Sequence, residues 1–292
     1  MSRGPGRSRE ALGRVMPLNS INTNVAAMQA VAAFNAINAE MAQVQMRITT
    51  GRKINSPKDN PAIWAIAQNQ RGELRSLDAV KGSLQRGRSI VDVAMSAAET
   101  VSDLLNEIRA LAVSAADFPL GDASRAALND QYLALRKQID ITVANAGFNG
   151  VNLLAAGGGD RVRALANTSA TSTIDVDPVD MSTGGALLAG LPADLLGGLG
   201  ATSIADIKAA TDRVNGAIGK LGTGAKALDN HLKFVVKQQD TLEAAIGNLV
   251  DADLARESAR LQALQVRQQL ALMAMQIANR QPSYLLQLFQ FR

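Results

Sequence analysis

Three aspartates in one short segment are the strongest candidate for metal binding in this sequence. Asp175, Asp177 and Asp180 lie close together, and carboxylate oxygens are the ligands that Ca²⁺ prefers. The segment lacks the central glycine and the terminal glutamate of an EF-hand loop. We therefore expect solvated carboxylates in a turn and predict no metal site.

The other residues that could bind a ligand or take part in catalysis do not form a recognisable motif. The run 157–159 is a glycine triplet, but the Lys-Ser/Thr pair of a phosphate-binding loop does not follow it, so we expect a flexible turn. His231 is the single histidine and cysteine is absent, which excludes thiolate sites, disulfides and histidine clusters. Asn167-Thr168-Ser169 fits a glycosylation sequon on an exposed loop. No acid/base pair emerges, and the sequence predicts neither an enzyme nor a cofactor.

The positive charge of the chain is concentrated at its beginning. The 292 residues carry a net charge of +4, but the leader 1–15 holds Arg3, Arg7, Arg9 and Arg14 against one acid. The remainder is nearly neutral, which argues against a nucleic-acid-binding surface. We expect the leader to be disordered or to lie upstream of a true start at Met16.

The uncharged stretch after the leader is the closest approach to a membrane segment. Residues 16–39 carry no charge but include six asparagine and glutamine side chains, which would be costly at the centre of a bilayer. We therefore predict no membrane insertion.

Two long heptad patterns dominate the middle of the chain. One runs over 77–112 and the other over 204–249, with apolar residues at alternating spacings of three and four. Such repeats keep one apolar stripe facing a partner helix, so we predict an antiparallel, coiled-coil-like helical rod. The predicted rod-packing residues are Leu77, Leu84, Val91, Val101, Leu105, Ile108, Ile218, Leu228, Leu232, Leu242 and Ile246.

Local signals mark the ends of these elements. Asp59-Asn60-Pro61 offers a helix cap and a first-turn proline, and 118–121 ends the first rod helix. A shorter helix begins at Asp122 or Ser124 and stops near Ala146. The stretches 161–166 and 171–176 predict a β-hairpin, and Ser203 with Asp206 predicts a capping box that opens the second rod.

The two ends of the chain carry apolar stripes with very few charges. Their polar residues are mostly amides and hydroxyls, which tolerate a crowded interior, so we expect these helices to order when many copies associate. The alternative is that they pair within one subunit. The predicted polymerisation residues are Ala27, Phe34, Ile37, Met41, Val44, Ile48, Leu254, Leu261, Leu264, Ala271, Met275, Leu285 and Leu288.

Five motifs in order resemble those of bacterial flagellins. They are the Ile-Asn-Thr-Asn at 21–24, the Gly-Arg-Lys-Ile-Asn-Ser segment at 51–56, the Phe-Asn-Gly turn at 148–150, the Asp-Ala-Asp at 251–253 and the Pro-x-x-x-Leu-x-Leu ending at 282–288. The resemblance covers residues 16–292. It implies a subunit that polymerises into the flagellar filament for swimming motility.

The resemblance also implies an architecture. The terminal helices would form an inner tube on assembly, and the rod helices and hairpin would form the surrounding shell. The expected divisions are a leader 1–15, an inner-tube helix and spoke 16–62, rod helices and hairpin 63–178, a short surface connector 179–202 in place of outer domains, a rod helix 203–250 and an inner-tube helix 251–292.

Partners and location follow from the same resemblance. The family implies export of the unfolded chain through the flagellar type III channel and polymerisation with copies of itself outside the cell. It further implies contact with filament cap and hook-junction proteins, and an export chaperone at the C-terminus.

One stretch departs from the family pattern. Residues 106–114 align with a segment that an animal innate receptor reads, in which Arg109 and Leu111 match but Glu107 and Ser114 replace an arginine and a glutamine. A reversed charge at an interface costs several kcal/mol. We therefore expect weak recognition by that receptor.

Three alternatives remain beside the filament subunit. A hook–filament junction protein shares the terminal motifs. A membrane-active secreted effector is suggested by the apolar residues at 284–291, although no basic polar face accompanies them. A surface receptor for an extracellular polymer would need an aromatic platform, and aromatic residues make up only 3% of the chain.

Overall fold

The structure is a computed structural model that describes residues 23–117, 121–195 and 201–290. The helices are α1 (Val25–Thr50), α2 (Pro61–Ala115), α3 (Asp122–Asn145), α4 (Ala201–Val250) and α5 (Leu254–Gln290). The strands are β1 (Gly147–Phe148), β2 (Val151–Asn152), β3 (Val162–Leu165) and β4 (Thr173–Val176). The chain divides into two compact units, one of residues 68–246 and one that joins the two ends of the chain. None of the described helices is long and apolar enough to span a membrane.

The rod of the unit 68–246 pairs α2 with α4 in antiparallel fashion. Three polar contacts show the direction: Gln239 donates to Asp78 at 2.8 Å, Arg88 Nε to Asp229 at 2.9 Å, and Ser102 Oγ to Asn215 at 2.9 Å. The residue number falls along α4 as it rises along α2. The antiparallel rod predicted from the heptads is therefore confirmed.

Both heptad patterns contribute to the core of this unit. Leu77, Leu84, Val91, Val101, Leu105, Ile108 and Leu228 are buried, and Ile218, Leu232 and Leu242 are partly buried against the same cluster. Ile246, at the end of the unit, is also buried. Burial of branched apolar side chains at heptad spacing is what stabilises two long helices that would be marginal alone.

The predicted hairpin is present as β3 and β4. The strands are antiparallel with Val162 opposite Val176 and Leu165 opposite Thr173. Val162, Ala164 and Val176 face the core and are buried, whereas alternate residues face outward. The short β1–β2 pair before it was not predicted, because two-residue strands give no periodic signal.

Two glycines of the rod allow the hairpin to pack directly on it. A Cβ at Gly87 of α2 would lie 3.2 Å from side-chain atoms of Val162 and Ala164. A Cβ at Gly224 of α4 would lie 2.9 Å from Val176 Cγ2. The strands therefore occupy the space that larger rod residues would fill, and this explains why Gly87 interrupts an otherwise apolar heptad.

Alanine substitutions at two glycines of α4 should act in opposite directions. Gly224→Ala should lower the free energy of unfolding by about 1–3 kcal/mol through overpacking against Val176, which exceeds the gain in helix propensity. A Cβ at Gly222 would have no neighbouring atom within 4 Å, so Gly222→Ala should raise the free energy of unfolding by up to about 1 kcal/mol. Urea unfolding followed by circular dichroism measures both. A Gly224→Ala chain as stable as the Gly222→Ala chain would contradict the packing described here.

The segment after β4 differs from the predicted surface connector. Met181, Leu188, Leu191 and Leu195 are buried, so much of this segment is a covering layer of the core. Burial raises the pKa of Tyr132 in α3 to about 12, and its hydroxyl donates to the carbonyl of Pro192. Asn129 of α3 is buried and accepts a 2.8 Å hydrogen bond from Leu195 N.

Of two predicted helix starts, one is shifted and one is confirmed. α4 begins at Ala201, two residues before the predicted cap Ser203. The prediction of a capping box at Ser203 is therefore wrong, because Ser203 already lies inside the helix. The predicted cap of α2 is confirmed. Asn60 Oδ1 accepts a 3.0 Å hydrogen bond from Ile63 N, and the helix begins at Pro61.

Candidate assembly surfaces

The candidate chemical residues are engaged in structural contacts. Asp175 lies 3.8 Å from Arg161 and 3.7 Å from Arg163, while Asp177 lies 2.7 Å from Arg161. Asp180 turns instead to the backbone of Gly157 and the side chain of Ser182. No group of three or more metal-ligating side chains occurs among the described residues. Asp175 and Asp177 therefore form ion pairs, whereas Asp180 stabilises a turn, and the three carboxylates do not share a ligand.

The remaining polar candidates also stabilise local structure. His231 Nε2 lies 2.7 Å from the carbonyl oxygen of Ala166, which makes it a polar contact between α4 and the hairpin. The Asn167 amide is held inside the hairpin loop, because its Nδ2 donates to Thr171 Oγ1 at 2.7 Å and its Oδ1 accepts from Thr171 N.

A compact joint connects the ends of α1 and α4 within the second unit. Lys53 N donates to the Val250 carbonyl at 2.7 Å, and Ala252 N donates to the Gly51 carbonyl at 2.9 Å. Gly51 has a φ of 68°, the left-handed conformation that ends α1 and favours glycine. These backbone bonds bring together two of the motif segments, at 51–56 and 251–253, that are far apart in sequence.

The turn that follows is held by one carboxylate. Asp59 accepts hydrogen bonds from Asn55 N and Ser56 N, both at 3.0 Å, and these donors hold its pKa below the ordinary value. A side chain that binds two backbone N–H groups stabilises the turn over 55–59 in one conformation. Asp59 is thus a structural residue of the joint.

Beyond the joint, α1 and α5 pair with each other inside one chain. Their shared stripe contains buried Val44, Leu264 and Ala278 together with half-buried apolar residues. The half-buried predicted residues are Ala27, Phe34, Ile37, Met41, Ile48, Leu261, Ala271 and Met275. Leu254 is exposed, and the side chains of Leu285 and Leu288 lie outside the described residues. We expected these helices to order when copies associate, with pairing inside one subunit as the alternative. The structure shows the pairing inside one chain.

Polar contacts accompany this apolar stripe. Arg47 Nη1 lies 3.2 Å from Glu257 Oε1, Arg260 pairs with Glu40, and Gln268 Nε2 donates to Asn38 Oδ1 at 2.7 Å. Asn24 caps α1 through Ala27 N, and its Nδ2 donates to the Ala278 carbonyl at 2.7 Å. The two charged residues of α1, Glu40 and Arg47, are thus both paired with α5.

The opposite side of α5 carries a second apolar stripe, which we call the outer seam. Its members are Ala259, Ala263, Val266, Leu270, Met273 and Ile277, spaced alternately by four and three residues. Each lies two residues after a member of the stripe that meets α1, and 200° of helical rotation places it on the other face. Ile277 is 67% exposed and Leu270 58%.

The outer seam is the surface that the sequence interpretation missed. Its heptad spacing is visible in the sequence, but one helix with apolar residues on two faces does not reveal which face its own chain covers. Contiguous exposed apolar residues on a folded chain mark an interaction site.

The predicted receptor segment lies on α2. Glu107, Arg109 and Ser114 are exposed and Leu111 is half-buried. Glu107 and Leu111 border a cavity of about 470 Å³ between α2 and α3. Ser114 Oγ donates to the Ala110 carbonyl at 3.0 Å, within its own helix.

Comparison with known proteins agrees with this architecture. Residues 21–157 match the bacterial flagellin N-terminal helical region, and residues 204–289 match the bacterial flagellin C-terminal helical region. Flagellin FljM of Caulobacter vibrioides is 46% identical over 94% of this chain and 100% of its own length. A flagellin of Brucella melitensis is 30% identical over 93% of this chain and 99% of its own length.

A solved structure shares the fold. The structure of a putative flagellar hook-associated protein from Vibrio parahaemolyticus matches 66% of this chain and 100% of its own, with a TM-score of 0.56 at 15% identity. That likeness concerns the helical architecture alone. Together, the matched regions at both ends and the full-length relatives show that the chain belongs to the bacterial flagellin family, the structural subunits of the extracellular flagellar filament.

Proposed function

We propose that copies of this flagellin assemble through the terminal helix pair, with α1 and α5 forming an inner tube and the rod and hairpin forming the surrounding shell. The observation that carries this proposal is the exposed outer seam of α5. A continuous apolar stripe on a folded chain is costly in water and is stabilised by a matching surface of another copy.

The distribution of charge supports the same conclusion. α1 holds two charged residues, both of them paired with α5, and the outer seam holds none. If α1 and the outer seam were buried between subunits, no charged side chain at these positions would be left without a partner. Exposed apolar residues of α1, among them Met28, Val31 and Met46, extend the surface available to neighbouring copies.

Seeded assembly tests the proposed tube. Purified full-length chain should extend filament fragments under the electron microscope, whereas a chain that lacks 16–50 and 254–292 should not, because the tube-forming helices are gone. The helical signal in circular dichroism of the truncated chain checks that the rod is still folded. A truncated, folded chain that extends seeds as fast as the intact one would contradict the proposal.

The partner proteins that we expect are inferred from the family resemblance. Export of the unfolded chain through the type III channel is supported by the absence of cysteine. A chaperone that covers the C-terminal helix before export would protect the outer seam from premature association. At the filament ends, the subunit would meet cap proteins and hook-junction proteins. No described contact favours a junction protein or a membrane-active effector over the filament subunit.

Receptor stimulation provides a separate test. Because Glu107 reverses a positive charge of the recognised pattern and is exposed, the monomer should stimulate the innate receptor weakly. The variant Glu107→Arg with Ser114→Gln should increase the response by about tenfold or more in a reporter-cell assay. The rod substitution Gly222→Ala, distant in sequence, serves as the control. Full stimulation by the unmodified monomer would contradict this prediction.

A further inference from the structure

α5 presents two apolar faces, and apolar packing alone does not choose between them. The face that meets α1, which we call the inner seam, contains Glu257, Leu261, Leu264, Gln268, Ala271, Met275 and Ala278. The outer seam repeats the same spacing two residues later. What distinguishes the two faces is polarity, because the inner seam contains Glu257 and Gln268 where the outer seam contains Ala259 and Leu270.

α1 carries polar residues that match the inner seam only. Arg47 meets Glu257 at 3.2 Å, and Asn38 meets Gln268 at 2.7 Å. If α1 lay on the outer seam, a shift of two residues along α5 would place Arg47 against Ala259 and Asn38 against Leu270. Both polar groups would then lose their partners in a largely apolar contact, which is unfavourable.

Of the two ion pairs between α1 and α5, the Arg47–Glu257 pair is the more buried. The Glu257 side chain is 10% exposed and Arg47 is 23% exposed, whereas Glu40 and Arg260 are 36% and 50% exposed. Within the described residues, Glu257 Oε2 has no hydrogen-bond partner, and Arg47 is the ion-pair partner of Oε1. Arg260 is also close enough for its charge to interact with Glu257, without a direct ion pair. Water and salt screen the Glu40–Arg260 pair and weaken its influence.

We propose that Arg47 and Glu257, assisted by Asn38 and Gln268, are specificity residues that direct α1 to the inner seam of its own α5. The outer seam is thereby left for neighbouring copies, and this inference rests on the proposed tube. A polar contact at a single seam position selects one pairing at some cost in stability, as buried polar residues do in coiled coils.

An engineered disulfide reports the chosen face. The chain has no cysteine, so Asn38→Cys with Gln268→Cys introduces a single reactive pair. It removes the assisting amide contact but keeps Arg47 and Glu257, so that the yield of the link reports the effect of this ion pair alone. After oxidation, non-reducing electrophoresis and mass spectrometry of the linked peptides separate intrachain from interchain links. We expect a predominantly intrachain link, both in the free full-length chain and in filaments grown from seeds and then oxidised.

Charge reversal in this parent tests the specificity residues. Arg47→Glu should lower the intrachain yield by about tenfold or more, because two carboxylates would share one buried contact. Adding Glu257→Arg should restore most of the yield. Gln45→Glu, on an exposed side of α1, is the matched control and should keep the parental yield.

Three results would overturn the inference: no intrachain link in the parent, a parental yield in Arg47→Glu, or a swapped pair no better than the single reversal. Seeded growth of the reduced parent is scored separately. A parent that links within the chain but does not extend seeds would contradict the proposed tube alone and would leave the choice of face supported.

Discussion

Glutamate at both Leu270 and Ile277 should stop seeded filament growth while the subunit remains folded. The two side chains are 58% and 67% exposed in the single chain, so the charges cost little there. In the proposed tube they would be buried between copies, where an unpaired carboxylate costs several kcal/mol. We therefore expect the elongation rate to fall by about 100-fold or more, measured by electron microscopy of seeds extended for fixed times.

Methionine at the same two positions is the matched control for this variant. Leu270→Met with Ile277→Met keeps an apolar outer seam of similar volume and should extend seeds at close to the parental rate. Circular dichroism of the free chains checks that both variants have the parental helix content. Normal growth of the glutamate variant would show that the outer seam is not a subunit contact.

The largest effect on stability is expected in the buried core of the rod. Leu105 is 0% exposed and lies in the core shared by α2 and α4. Leu105→Ala removes buried surface and leaves a cavity, which costs about 2–5 kcal/mol of the free energy of unfolding. Urea unfolding followed by circular dichroism should show this as a lower midpoint with little change in slope.

Leu133→Ala is the control for the rod substitution. Leu133 lies on α3 and is 40% exposed, so its removal should change the free energy of unfolding by about 0.5 kcal/mol or less. Equal losses for the two leucines would mean that burial does not govern the stability of this unit. A larger loss at Leu105 would agree with the heptad interpretation of the sequence.

Much of the fold could be predicted because its periodic signals are long. The heptads of α2 and α4 extend over several turns, and residues such as Leu84 and Val101 are buried where the spacing placed them. The hairpin was also predictable, since an alternating pattern surrounds the loop at Asn167. Boundaries without a strong cap were less predictable, and the start of α4 at Ala201 is an example.

Other features depended on contacts between residues distant in sequence. Gly87 occupies a heptad position without a side chain, and the hairpin residues Val162 and Ala164 fill the space there. The segment after β4 resembled a surface connector, because its glycines and single proline gave no period. Its burial of Met181 and Leu188 depends on the surface that the other elements of the unit present.

The sequence by itself determined the helical class, the antiparallel rod and the likeness to flagellins, because periodicity and ordered motifs are local properties of the chain. It also excluded thiol and disulfide chemistry, since cysteine is absent. Only the tertiary structure decided which face of α5 its own chain covers. Both faces are apolar with the same spacing, and the choice depends on Arg47 and Asn38, more than 200 residues away in the sequence, meeting Glu257 and Gln268.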